Sequence, residues 1–98
     1  AVLDLPNLAV VGDGTNDNHY LRINGAGALT TLGIGAAHFT GSLDIVNNPL
    51  LASIAGVSCG IVAAELSIIN NPVLPTAMAQ GKADCIQAPE TQVFGNGP

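Results

Sequence analysis

Leu43-Asp44-Ile45-Val46-Asn47-Asn48-Pro49-Leu50-Leu51 is followed, 23 residues on, by Leu66-Ser67-Ile68-Ile69-Asn70-Asn71-Pro72-Val73-Leu74. Leu43 and Ile45, like Leu66 and Ile68, hold alternate positions, the period of a strand with one buried face. Asn-Asn-Pro then marks a corner, because asparagine tolerates tight turns and proline cannot continue a central strand. Self-similarity at such a period is the signature of a solenoid, in which each repeat is one coil stacked on the last.

The pattern extends outward in both directions. Tyr20-Leu21-Arg22-Ile23 is an earlier strand, with Leu21 and Ile23 facing in and Arg22 out, and its corner is Asn24-Gly25-Ala26-Gly27. Leu29-Thr30-Thr31-Leu32 parallels Leu51-Ala52-Ser53-Ile54 behind the next corner. Stacked parallel strands put like residues over one another, so Leu21, Leu43 and Leu66 form one column and Ile23, Ile45 and Ile68 another. Burying such columns drives folding, at roughly 25 cal/mol per Å² of apolar surface. Towards the start, Leu3, Leu5, Leu8 and Val11 supply inward positions of an irregular first coil. Towards the end, Pro75 to Gln80 reads as one helical turn, opened by proline and closed by Gly81. Gln92 to Pro98 reads as a last strand and corner, with Pro98 aligned to Pro72 and Phe94 to Ile68. The expected fold is all-β: a parallel β-helix of about four coils with repeats of 21–26 residues, forming one domain over 1–98. The coils span approximately 1–19, 20–41, 42–64 and 65–91, with a partial coil at 92–98.

Composition excludes several function classes. The chain is 98 residues long, 48% hydrophobic and only 9% charged, with a formal charge of −5, which is the opposite of a disordered composition. Arg22 and Lys82 are its two fixed cations, too few to face a nucleic acid or an anionic lipid surface. The longest weakly charged run, residues 45–64, is broken by an Asn-Asn-Pro corner, so no membrane insertion is expected. The chain opens Ala-Val-Leu without a methionine, and the reading expects an upstream segment to have been removed.

The corners and the cysteines carry the polar expectations. Asn47 and Asn70 should stack, their amides bonding along the column and to the bent backbone; alternatively, Asn47, Asn48, Asn70 and Asn71 simply permit a surface turn. Cys59 stands seven residues before Leu66 and Cys85 seven before Gln92. If those anchors are equivalent, the two sulfurs lie on one edge of adjacent coils, within disulfide range. A disulfide implies an oxidising, extracellular setting; two free buried thiols in a cytosolic protein are the other reading.

Little in the sequence points to chemistry. Asp13, Thr15 and Asp17 alternate like the start of a calcium loop, yet Asn18 and Asn24 replace the glycine and glutamate that such a loop needs. The segment is either a weak calcium site or a bare surface loop. His19, His38, Cys59 and Cys85 make no short-spaced zinc pair, and no nucleophile elbow or phosphate loop is present. Glu65 and Glu90, the only glutamates, are not paired by the sequence as acid and base. No enzyme activity and no cofactor are expected.

The run from Gly41-Ser42-Leu43 through Leu51-Ala52-Ser53-Ile54 resembles the bacterial secreted receptor-L-domain-like, leucine-rich-repeat-like proteins, and Leu66 through Thr76 looks like their closing repeat. The resemblance covers about residues 20–76. It implies a right-handed, single-stranded β-helix on the cell surface or outside the cell, used for adhesion or recognition, with no shared catalytic residues to carry over. The corner at Asn24 departs from the pattern, and the closing helix is shortened to one turn.

Neither terminus reads as the polar cap that keeps a solenoid soluble. Joining Asn96-Gly97-Pro98 to Ala1-Val2-Leu3-Asp4-Leu5 mimics an internal corner and the strand behind it. Val2, Leu3, Leu5, Leu8, Phe94 and Pro98 are therefore candidates for a head-to-tail interface, which makes a filament if it does not close. A piece of a longer solenoid would show the same ends. Two functions follow: a structural subunit stacking end to end, or a monomeric surface module binding protein or glycan. Only Tyr20, Arg22, Asp44 and Glu65 lie near the strand column, sparse for a recognition hot spot, which favours the structural reading.

Overall fold

A computed structural model of the chain describes residues 2–5, 10, 11 and 20–98. Among the described residues the regular structure is mostly strand, with one short helix. In order, the elements are β1 (Val2–Leu5), β2 (Val10–Val11), β3 (Leu21–Asn24), β4 (Thr31–Ile34), β5 (His38–Phe39), β6 (Ser42–Val46), β7 (Ser53–Val57), β8 (Glu65–Ile69), α1 (Thr76–Cys85) and β9 (Glu90–Phe94). Among the described residues all the strand pairings are parallel. They form a four-stranded sheet β3-β6-β8-β9, a three-stranded sheet β1-β4-β7 and a two-stranded sheet β2-β5. Isolated bridges carry the β2-β5 row on through Val62 to Gln87.

The register of the larger sheet follows the repeat. Leu21 pairs with Leu43 and Leu43 with Leu66; Ile23 pairs with Ile45 and Ile45 with Ile68. These are the expected columns, and Leu43, Ile45, Leu66 and Ile68 are fully buried. Leu29, Leu51 and Leu74, one behind each corner, are buried with them, and the three-stranded sheet adds Leu32, Ile34, Ile54 and Val57 to the same core. The match of the second apolar pairs holds at Thr31 with Ser53, after which an irregularity shifts the register so that Gly33 faces Gly56.

The last strand sits one residue from its expected register. Val93, not Phe94, pairs with Ile68, while Phe94 pairs with Ile69 and is 57% exposed. A slip of one residue exchanges the two faces of a strand. The corner decides it: Gly95-Asn96 takes the place of Asn70-Asn71, so aligning Pro98 with Pro72 misplaced the strand.

The helix also differs from expectation. It runs ten residues, from Thr76 to Cys85, and passes through Gly81. Glycine inside a helix costs about 1 kcal/mol relative to alanine; against that, Ala79 and Ala83 are buried one turn apart and the end of the helix is covalently held. Cys59 and Cys85 form a disulfide, with Cα atoms 5.1 Å apart. α1 packs against β7 and β9. It lies along the free edge of β7, where the Ile54 N–H meets Met78 Sδ at 3.3 Å and Lys82 Nζ donates to Ala55 O at 3.1 Å. The expectation that neither end carries a cap is therefore corrected for this sheet, whose last strand is covered by a helix.

Among the described residues, no helix is long and apolar enough to cross a membrane.

Candidate functional site

The first candidate is the column of corners. Gly25, Asn47, Asn70 and Gly95 occupy equivalent places after β3, β6, β8 and β9, and all four have positive φ: 70°, 58°, 57° and 71°. The left-handed region suits glycine, and asparagine tolerates it better than other side chains. A side chain at Gly95 would in addition run into the Asn70 carboxamide oxygen. The next residues in the column are Ala26, Asn48, Asn71 and Asn96. Asn48 and Asn71 are fully buried.

These second asparagines form the ladder. Asn48 Nδ2 donates to Asn71 Oδ1 at 3.0 Å and to Ile23 O at 3.0 Å. Asn71 Nδ2 repeats the pattern with Asn96 Oδ1 and Ile45 O, both at 3.0 Å. Asn96 Nδ2 donates to Ile68 O at 2.8 Å. Each oxygen also accepts a backbone N–H: Ala26 onto Asn48, Asn48 onto Asn71, Asn71 onto Asn96. An asparagine side chain supplies two donors and an acceptor oxygen with two lone pairs, and Asn71 uses all of them. The expected stack of Asn47 and Asn70 is thus corrected: those residues make the left-handed turn and face solvent, with Asn47 Nδ2 reaching only Asn24 Oδ1 at 3.3 Å. Sequence reasoning missed Asn96 as a member. The signal was present in the aligned corners, where glycine stands first in Asn24-Gly25-Ala26 and in Phe94-Gly95-Asn96, marking the first position as left-handed.

The second candidate is the outer face of the four-stranded sheet. Arg22 pairs in register with Asp44, with Nε 3.3 Å from Oδ2, and stands over the Tyr20 ring at 5.3 Å. Asp44 is buried to 6% exposure, and Ser42 Oγ also donates to its Oδ2 at 3.4 Å. A buried carboxylate needs such partners, since desolvating an unpaired charge costs several kcal/mol. One strand on, Ser67 Oγ donates to Glu65 Oε1 at 3.4 Å.

A groove of about 390 Å³ runs along the start of these strands, lined by Gly41, Ser42, Ala64, Glu65, Pro89 and Glu90. The two glutamates, unconnected in the sequence, are register partners on β8 and β9. Like charges directly opposite one another destabilise a sheet pair. The groove wall is therefore acidic, with small residues between the carboxylates.

The remaining sequence candidates are scattered. Asp13, Thr15 and Asp17 of the calcium loop, His19, and Leu8 of the proposed interface lie outside the described residues. Val2 is exposed on β1, Leu3 is half-buried against the core, and Leu5 contributes backbone to the pairing with Ile34. Pro98 is exposed beyond β9. Among the described residues, no group of three or more His, Cys, Asp or Glu side chains is placed to hold a metal ion.

No family model, no curated protein and no solved structure matches this chain.

Proposed function

We propose that the chain is an extracellular structural unit: a right-handed β-solenoid of about four coils, of the receptor-L-domain-like and leucine-rich-repeat-like kind, that joins copies of itself end to end. In this reading the coils divide near residues 20, 42 and 65, where β3, β6 and β8 begin. The disulfide supports an oxidising compartment.

The observation that carries the reading is the free edge of β9. It is the last strand of its sheet, it is largely exposed, and Phe94 stands open on it. Such an edge is a template for another strand, and among the described residues β3 is the edge strand at the other side of the same sheet. A parallel β9-to-β3 junction is heterologous and propagates. Because α1 covers β7, the junction is confined to the four-stranded sheet, and the β1-β4-β7 sheet does not continue across it.

Electron microscopy and light scattering of the non-reduced protein across a concentration series test this. Fibres with an axial repeat of about 19 Å, four strand spacings, are expected, and Phe94→Lys abolishes them without unfolding the monomer. Monomers at every concentration sink the proposal. The second reading, a monomeric module binding a surface protein or glycan, is favoured by the acidic groove at Glu65 and Glu90, and monomers that bind a surface ligand through that groove would support it.

A further inference from the structure

Each internal corner takes its hydrogen bonds from the corner that follows. Asn47 N–H donates to Ile69 O at 3.0 Å, and Asn48 N–H donates to Asn71 Oδ1 at 3.1 Å. One corner on, Asn70 N–H donates to Phe94 O at 3.0 Å, and Asn71 N–H donates to Asn96 Oδ1 at 3.2 Å. In both cases the side-chain Nδ2 joins the second bond. The acceptor is therefore always the same: a backbone carbonyl, then a left-handed residue, then a side-chain amide oxygen. At the last corner, Gly95 N–H, Asn96 N–H and the second amide hydrogen of Asn96 have no acceptor among the described residues. Beside them lies the edge of β9, unpaired among the described residues, with Phe94 exposed next to Ile69 in the column Asn24, Val46, Ile69, Phe94.

We infer that this end binds, in trans, an extended segment of another chain whose strand closes on Gly-Asn or Asn-Asn. The segment adds to β9 by edge pairing, its final strand carbonyl accepts from Gly95, and its second corner residue accepts both donors of Asn96. The requirement is specific. β3 of a second copy meets only half of it, because Gly25 is left-handed but Ala26 offers no side-chain oxygen. Edge pairing alone is tolerant of sequence, so the ladder is what selects the partner.

The inference rests on the reading that β9 is an associating edge, and its test separates the two. The probe is a synthetic peptide of residues 43–49, Leu-Asp-Ile-Val-Asn-Asn-Pro, compared with the same peptide carrying Asn48→Ala, titrated into the intact ¹⁵N-labelled protein. The native peptide is expected to move the backbone amides of Gly95 and Asn96 and the side-chain amide of Asn96. The alanine peptide binds about tenfold more weakly, having lost the acceptor of two hydrogen bonds, and leaves the Asn96 side chain unmoved. Equal binding of the two peptides overturns the inference, as does the absence of any perturbation over residues 90–97 up to about 1 mM peptide. A protein that stays monomeric but tells the peptides apart refutes the fibre and keeps this site; one that forms fibres but cannot tell them apart does the reverse.

Discussion

β7 and β9 are both last strands of parallel sheets, and they end differently. β7 is covered by α1, whose Met78 and Lys82 meet Ile54 N–H and Ala55 O, and whose last residue is tied back through Cys85 to Cys59. β9 has no such cover among the described residues, and Phe94, Gly95 and the outer side of Asn96 remain available. An exposed strand edge is a liability that proteins manage by covering, charging or shortening it. Here one edge is managed with a helix and a covalent bond, whereas β9 carries a single charged residue, Glu90. The contrast teaches that end-protection is applied sheet by sheet rather than to a whole end of the molecule.

The largest expected effect comes from removing the ladder that holds β9 in place. Asn71→Ala strands the buried N–H and one amide hydrogen of Asn48 and removes the side-chain donor from Ile45 O and Asn96 Oδ1, at about 4 kcal/mol, which denaturant unfolding measures. A loss below 1 kcal/mol would mean that the strands, and not the corners, hold that edge. Opening the disulfide should erase the contrast from the other side. A Cys59→Ser, Cys85→Ser double variant loses about 3.5 kcal/mol in the chain-entropy model. It should also speed hydrogen exchange at Ile54, since α1 is then free to lift from β7; unchanged exchange there would show that helix packing alone suffices.

Smaller effects divide the two asparagines of each corner. Asn70→Ala forces alanine into the left-handed region and costs about 1.5 kcal/mol, while Asn70→Gly stays within about 0.5 kcal/mol of the native protein. A thermal melt of both variants separates conformational need from hydrogen bonding. Smallest of all, Gly81→Ala sharpens the contrast by strengthening the cover. Its side chain meets open space, so the gain is the helix-propensity difference of about 0.8 kcal/mol.

The apolar columns were legible because Leu21, Leu43, Leu66 and their isoleucine partners repeat at near-constant spacing, and burial enforces that alternation directly. The cysteine pairing was legible for the same reason, through distances to those columns. The roles inside Asn-Asn were not, because both residues are good turn formers and the pair repeats as a unit. Only the aligned Gly25 and Gly95 break the symmetry, by marking the position that needs positive φ. For β9, Pro98 and Gly95 point to registers one residue apart, and the glycine, which supplies the positive φ of the corner, marks the observed one. The length of α1 was hidden too: Ala, Gln, Gly and Lys make no apolar stripe, and its anchor is a cysteine 26 residues from its partner. The pairing of Glu65 with Glu90 became visible only once β9 had its register.

The corner hydrogen bonds have a further consequence, for the chemical lifetime of the protein. Asn24-Gly25 and Asn96-Gly97 are the sequences in which asparagine most readily deamidates, through attack of the following backbone nitrogen on the side-chain carbonyl. In the folded chain Gly97 N–H is held by Leu74 O at 2.7 Å and the Asn96 amide by Ile68 O, while Gly25 N–H is held by Val46 and Asn47 carbonyls. Ring closure requires those nitrogens to let go, so the ageing of these asparagines is gated by local opening, and the rate at which aspartate accumulates at residue 96 reports how often the last corner comes apart.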